Sequence, residues 1–286
     1  MQAIGVDVGG SGVRAAYWTN GTVGDLAIVP GSDVMGGIEA AVEQLGAADI
    51  VGVGVPGFIR EGRVLGSPNL PHLNGEHLQD RLMERLGCPV VVLNDANAAA
   101  MGAWASLNDP GDLLMLTLGT GVGGGIILGG RIHTGSSGTG AEVGHVHIGG
   151  DLPCGCGAKG CLETWAGSRG LIARARQRGE TIDGVRDLVN HADAGQIWAQ
   201  HLLHEASKAL GQGIRSLLNV LGIERVMISG GVSFAEPWLR PGVEAHLREQ
   251  GIASNTDRVD IQWTGFASEW AIAGAAAHAL SVAQPR

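Results

Sequence analysis

Apolar and polar positions along the chain alternate between two periods. Ala3–Val8 reads as an apolar strand running into Gly9-Gly10-Ser11-Gly12, and Val13–Trp18 reads as a second strand. Ile38–Leu45 and His77–Leu86 carry helical spacing, whereas Ile50–Val55 and Val90–Leu93 are short β-branched runs of the kind found in buried strands. An alanine-rich helix is predicted from Asn94-Asp95 to about Trp104. Leu113–Leu118 is a further strand, entering the glycine run Gly119–Gly125, and Ile126–Leu128 continues it to a hairpin turn at Gly129-Gly130. Leu202–Leu221 predicts a long helix, Val226–Ser229 a strand that ends on Gly230-Gly231-Val232, and Ala271–Leu280 a small-residue terminal helix. Strands alternating with helices predict an α/β fold. The unit strand, glycine turn, strand occurs at Asp7–Ser11 and again at Gly119–Gly125, which suggests two related lobes.

Composition narrows the class. With 286 residues the chain has room for about two domains. Hydrophobic content of 44% supports sizeable cores, and the 49 glycines follow no collagen period, so they mark tight turns and close backbone approaches. The net charge of −9 with no basic block argues against nucleic-acid binding. The segment Met1–Asp7 has neither a charged leader nor a long apolar stretch, and no run approaches the roughly 18 apolar residues of a membrane span. A cytoplasmic enzyme is the expectation. In a reducing compartment the cysteines read as metal ligands, with Cys88 set apart as a small buried residue.

Five segments carry candidate chemistry. In Asp7-Val-Gly9-Gly10-Ser11, glycines between two strands let backbone N–H groups approach phosphate oxygens, and Ser11 adds a hydroxyl. Asp7 would hold Mg²⁺, usually through water. The bland alternative is an ordinary hairpin turn, and the Gly-Lys-Ser/Thr ending of a Walker loop is absent. Gly119-Thr120-Gly121 opens a second such turn, and Gly230-Gly231 leaves space for a flat ring. Asn94-Asp95 ends a buried strand and opens a helix, so one of the two is a helix cap. Ligands of open α/β sheets lie outside strand C-termini, where an aspartate can accept the proton of an attacking hydroxyl.

The densest segment runs from Glu142 to Glu163. Cys154, Cys156 and Cys161 fall within eight residues, and a histidine precedes them. Three thiolates and one imidazole suit tetrahedral zinc. His145 is one candidate for the fourth ligand, with His133 and His147 as alternatives. Glu142 and Glu163 flank the cluster, either as solvated surface acids or as acceptors for hydroxyl groups.

Taken in order, these motifs resemble the ROK family of repressors and sugar kinases, within the actin-like and hexokinase-like ATPases. Asp7–Ser11 and Leu118–Gly125 resemble its two phosphate motifs, and Asn94-Asp95 its catalytic pair. Glu142-Val-Gly-His145 with Cys154-x-Cys156-x4-Cys161-x-Glu163 resembles its sugar and zinc signature. The resemblance spans essentially the whole chain. It implies a two-lobed actin-like, ribonuclease H-like fold with an interlobe cleft, residues 1–98 plus 271–286 forming a small lobe and 99–270 a large one. It implies ATP-dependent phosphorylation of a hexose at the 6-hydroxyl, glucose foremost. Asp95 would be the general base, and Asn94, Glu142, His145 and Glu163 would hold the other hydroxyls. The segment Gly57–Asn69, including Ser67, would cover the sugar. His145, Cys154, Cys156 and Cys161 would hold structural Zn²⁺. Asp7, Gly9, Gly10, Ser11, Arg14, Gly119, Thr120 and Gly121 would serve Mg-ATP phosphates, with Gly230 and Gly231 at the adenosine. A homodimer or homotetramer is implied as well.

Two departures stand out. Arg14 occupies a place where many members have lysine, so the charge is kept but not the shape. Polyphosphate-using members usually lack the cysteine cluster, so its presence favours ATP. Other hexoses, N-acetylmannosamine and N-acetylglucosamine stay open as substrates. A sugar-sensing regulator is the reading from another class. Its helix-turn-helix would have to precede Asp7, where only six residues stand.

Overall fold

In the computed structural model, residues 1–19, 21–107, 111–265 and 269–283 are described. The first part of the chain gives β1 (Ala3–Gly9), β2 (Gly12–Thr19), β3 (Thr22–Val23), β4 (Ala27–Pro30), α1 (Val34–Leu45), β5 (Ile50–Val55), β6 (Phe58–Arg60), β7 (Arg63–Gly66), α2 (Leu78–Leu86), β8 (Val90–Asn94) and α3 (Asp95–Ala105). Then come β9 (Leu113–Leu118), β10 (Val122–Leu128), β11 (Arg131–Ile132), α4 (Glu163–Ala166), α5 (Ser168–Gln177), α6 (Val185–Asp193) and α7 (Ile197–Leu221). The remainder is β12 (Arg225–Ser229), α8 (Glu236–Gln250), α9 (Ala253–Thr256), β13 (Asp260–Trp263) and α10 (Trp270–Ala283). This is a mixed α/β architecture, as the alternating pattern predicts.

The chain divides into two compact units. The first comprises Met1–Gly111, Gly125–Ala141 and Ala267–Arg286; the second comprises Asp112–Gly124 and Glu142–Phe266. In the first unit a six-stranded sheet runs β3-β2-β1-β5-β8, with β4 also paired to β2. Strands β1, β5 and β8 are parallel, so Asp7, Gly54 and Asn94 come to the same end of the sheet. Its core is aliphatic: Ile4, Val6, Ile38, Val51, Val53, Leu78 and Leu82 are fully buried. Helix α10 lies so close to β5 that a Cβ on Gly52 would strike the Ala275 carbonyl, and one on Gly274 would strike the Ala98 carbonyl of α3. Only glycine permits that backbone-to-backbone packing. The second sheet has the order β11-β10-β9-β12-β13.

The glycine run Gly119–Gly125 is not one turn. Gly123, Gly124 and Gly125 lie inside β10, which starts at Val122. They are glycines because a side chain on Gly124 would meet the Met115 carbonyl and Val143, and one on Gly125 would press on Ala100. The turn proper is Gly119–Gly121. Two helices start earlier than their apolar spacing indicates. Helix α1 opens at Val34 because the Asp33 side chain caps it, accepting from the Gly36 N–H at 3.1 Å. Helix α7 opens at Ile197, whose 67% exposure hides its first turn from an apolar pattern.

Candidate functional site

The first unit carries a carboxylate pair. The β1–β2 register places Asp7 opposite Arg14, and Arg14 Nη2 donates to Asp7 Oδ2. Asp7 is buried, so its charge is matched by the guanidinium across the hairpin. Gly9, Gly10 and Ser11 form the exposed turn between them, and no atom would obstruct a Cβ on Gly10.

Asp95 opens α3 directly after β8. Asn94 is the helix cap, its Oδ1 accepting from the Asn97 N–H at 3.0 Å. Its Nδ2 donates to the Gly57 carbonyl at 3.0 Å, tying the start of α3 to the loop after β5. The Asp95 carboxylate accepts from the Ala96 N–H at 2.9 Å. Burial pushes Asp95 up to about 6. The Ala96 N–H opposes that shift, and the charge of Asp7 adds to it. A carboxylate poised there is ionised at neutral pH yet basic enough to take a proton.

Ser67 and Gly57 hold the loop between β5 and α2 in shape. Ser67 is buried, donates to the Pro56 carbonyl at 2.6 Å and accepts from the Leu70 N–H at 3.1 Å. Its own N–H donates to Asn74 Oδ1 at 2.7 Å. Gly57, at φ +131°, has no space for a Cβ against the Gly66 carbonyl. Asn69 is exposed on the same loop. Sequence reasoning missed a cavity of about 490 Å³ in this unit, lined by a mixture of polar and apolar residues that includes Asn94, Asn97, Arg60, Thr134, Ile59 and Ile132. The available signal was the polar glycine run Thr134–Gly140, between a strand and Glu142.

The second unit carries the cysteine cluster. His145, Cys154, Cys156 and Cys161 offer ligand atoms that all lie within 4.8 Å of one another, the one such group among the described residues that includes cysteine. Cys156 Sγ and Cys161 Sγ are 3.7 Å apart, and Cys154 Sγ is 3.4 Å from His145 Nδ1. Tetrahedral zinc with Zn–S bonds near 2.3 Å requires S···S distances of about 3.8 Å, so the donor set fits the metal. Burial pushes the Cys154 thiol up to about 12. His147 Nδ1 is committed to the Lys159 carbonyl at 3.0 Å, and His133 belongs to the other unit; His145 is the histidine at the cluster. Its Nε2 lies 3.8 Å from Glu142 Oε2.

Glu163 bridges the cluster to the glycine turn. Its Oε1 is 3.4 Å from Cys154 Sγ, and its Oε2 accepts from the Val122 N–H at 3.3 Å. A side chain on Gly121 would collide with that carboxylate. The turn is clasped from the far side by the start of α5: Ser168 N–H donates to the Gly119 carbonyl at 2.9 Å and Arg169 N–H to that of Thr120 at 3.1 Å. Strands β9 and β12 are parallel neighbours, so Gly230-Gly231 emerges beside Gly119. Gly230 has φ +106° and sits against the Leu118 carbonyl, which also accepts from the Val232 N–H at 2.8 Å.

These motifs have counterparts among known proteins. The ROK family profile matches residues 3–282. The chain belongs to the ROK family. A glucokinase of Halalkalibacterium halodurans is 32% identical over 95% of this chain and 92% of its own length. An N-acetylmannosamine kinase of Escherichia coli is 31% identical over 90% of this chain and 92% of its own. Among solved structures, a ROK hexokinase from Thermus thermophilus superposes with a TM-score of 0.88 at 29% identity, covering 99% of each chain. A ROK glucokinase from Streptomyces griseus, in complex with glucose and AMPPNP, gives 0.78 at 29% identity, over 98% of this chain and 100% of its own. The fold is therefore that of the actin-like ROK hexokinases. Among the described residues no helix is long and apolar enough to cross a membrane.

Proposed function

We propose that this ROK protein transfers the γ-phosphoryl group of ATP to the 6-hydroxyl of a hexose, with glucose as the leading substrate. The observation that carries the reading is the buried Asp95 carboxylate, raised to about 6, which directly follows β8 at the C-terminal end of the parallel strands β1, β5 and β8. As the hexose oxygen attacks the γ-phosphorus, its proton passes to Asp95, the bond from phosphorus to the bridging oxygen breaks, and ADP leaves. Asp7 would hold Mg²⁺ through water, and Arg14 fixes the direction of that carboxylate. Mg²⁺ would neutralise charge on the phosphates. The turns at Gly9–Ser11 and Gly119–Gly121 would offer N–H groups to phosphate oxygens, and Gly230-Gly231 would leave space for adenosine. Asn94, Glu142, His145 and Glu163 would accept or donate to the remaining hydroxyls. His145, Cys154, Cys156 and Cys161 would hold zinc as a structural ion, fixing the loop that carries Glu142 and Glu163.

The near-equal similarity to a glucokinase and to an N-acetylmannosamine kinase favours a second reading, an N-acetylhexosamine as acceptor. A coupled ADP-release assay with Mg-ATP and glucose, mannose, fructose, N-acetylglucosamine and N-acetylmannosamine separates the two. Highest kcat/KM on glucose, with mannose lower, is the expected result. Turnover confined to an N-acetyl sugar would replace glucose by an amino sugar, and silence on all five would overturn the kinase reading.

A further inference from the structure

One buried charge in the second unit has no part in the chemistry above. Arg174, on α5, is 6% exposed, and its Nη2 is buried without a hydrogen-bond partner. A guanidinium in that setting is costly, and burial lowers its pKa, with Glu205 and Asp151 as the nearest compensating charges. Its contacts are directional. The guanidinium carbon lies 3.1 Å from the centre of the Trp165 ring, and Nε donates to the Thr164 carbonyl at 2.9 Å. Trp165 Nε1 in turn donates to the Gly149 carbonyl at 2.8 Å, at the start of the cysteine loop. That loop is otherwise largely closed on itself: the N–H groups of Ile148 and Gly149 donate to Gly160, and that of Gly160 donates to Leu152. Gly150 packs over both partners, since a Cβ there would stand 3.0 Å from the Trp165 ring and 3.4 Å from Arg174 Nη2.

The same helix reaches the phosphate turn. The N–H groups of Ser168 and Arg169, about a turn and a half ahead of Arg174, hold the carbonyls of Gly119 and Thr120. Gly170 is pressed on the Thr164 carbonyl, so α4 and α5 pack backbone to backbone. We infer that Arg174 is a positioning residue: it clamps the Trp165 ring, so that the cysteine loop and the Gly119–Gly121 turn are held to one another by the α4–α5 pair. The assignment is geometric and holds for the zinc loop whether the acceptor is glucose or another sugar.

The test uses zinc-loaded, full-length protein and reads zinc release to a chromogenic chelator, with and without Mg-AMPPNP. Arg174→Met keeps the length of the side chain and removes a buried, incompletely paired charge, so its melting temperature should not fall. Zinc release should nonetheless quicken about tenfold, the low end of what outer-shell partners of a metal site contribute. Mg-AMPPNP should slow release from the wild type and no longer do so in the variant. In the kinase assay KM for Mg-ATP should rise while kcat changes less. Trp165→Leu removes the ring that Arg174 covers and the Nε1 donor to Gly149, and should also quicken release. It keeps the test decisive should Arg174→Met fail to fold. Wild-type release rates in the folded variants, or equal protection by Mg-AMPPNP in all of them, would overturn the inference.

Discussion

Asp95→Asn is expected to abolish most activity and, in the same protein, to raise stability. The amide keeps the volume and leaves Asn94 as the helix cap, but it accepts no proton. Removal of a general base typically costs 10²–10⁴ in rate, so kcat should fall by about that factor with KM for the sugar little changed. The stability gain follows from the direction of the shift. Asp95 sits at about 6 in the folded chain against an ordinary value of 3.8. Between these two values the unfolded chain has lost its proton and the folded chain has kept it, so stability falls as pH rises through this window. At pH 7.5 the ionised carboxylate is therefore a net destabilising group, by at most about 3 kcal/mol from roughly two pKa units. Its favourable placement at the N-terminus of α3 offsets about 0.5 kcal/mol that asparagine would lose. Denaturant melts should show Asp95→Asn more stable by about 1–2 kcal/mol at pH 7.5, with the gain vanishing near pH 4. A variant that loses activity and stability together would mean that Asp95 is a structural group.

Cys161→Ser is expected to remove zinc and unfold the loop around it. Cys161 is 2% exposed and pairs with Cys156 at 3.7 Å, so serine places a weak, hard ligand in the most enclosed corner of the set. Zinc per chain, measured by mass spectrometry, should drop from about one to near zero, since four ligands of this type bind one ion. The backbone bridge His147↔Cys161 and the position of Glu163, two residues on, depend on the same closure. KM for the sugar should therefore rise about 10–100-fold, and the melting temperature should fall. A chelator should reproduce both effects in the wild type, with zinc restoring the wild type but not the variant. Cys88→Ser, away from the cluster, should match the wild type. Full activity of Cys161→Ser without zinc would remove the metal from the account.

Much of the site could be read from residue order, because its parts are local. Asp7, the glycine turn and Arg14 belong to one hairpin, and its register makes Asp7 and Arg14 partners. Asn94 ends a strand and caps the helix that Asp95 opens, and the ligand cluster from His145 to Cys161 spans 17 residues of contiguous chain. What spacing could not give is set by contacts across the fold. Gly123–Gly125 belong to a strand because of Met115, Val143 and Ala100, none of which is a neighbour in sequence. Helix α8 was obscured by Pro237 in its first turn and Pro241 inside it, both of which speak against a helix in isolation. Ser67 bears a hydroxyl suited to a sugar, yet its donor is spent on Pro56 and one lone pair on Leu70, which only the folded loop reveals. The raised pKa of Asp95 likewise arises from burial and from Asp7 on β1, so the sequence could single out the residue but not its tuning.

The most direct test of the central claim is the pH dependence of kcat/KM for glucose at saturating Mg-ATP. Because the base acts in its ionised form and burial has raised it, the ratio should fall tenfold per pH unit on the acid side, with an apparent pKa of about 6. The residual rate of Asp95→Asn should lack that limb. A wild-type profile that stays level down to pH 4.5, or an acid limb that survives in Asp95→Asn, would contradict the assignment of Asp95 as the base.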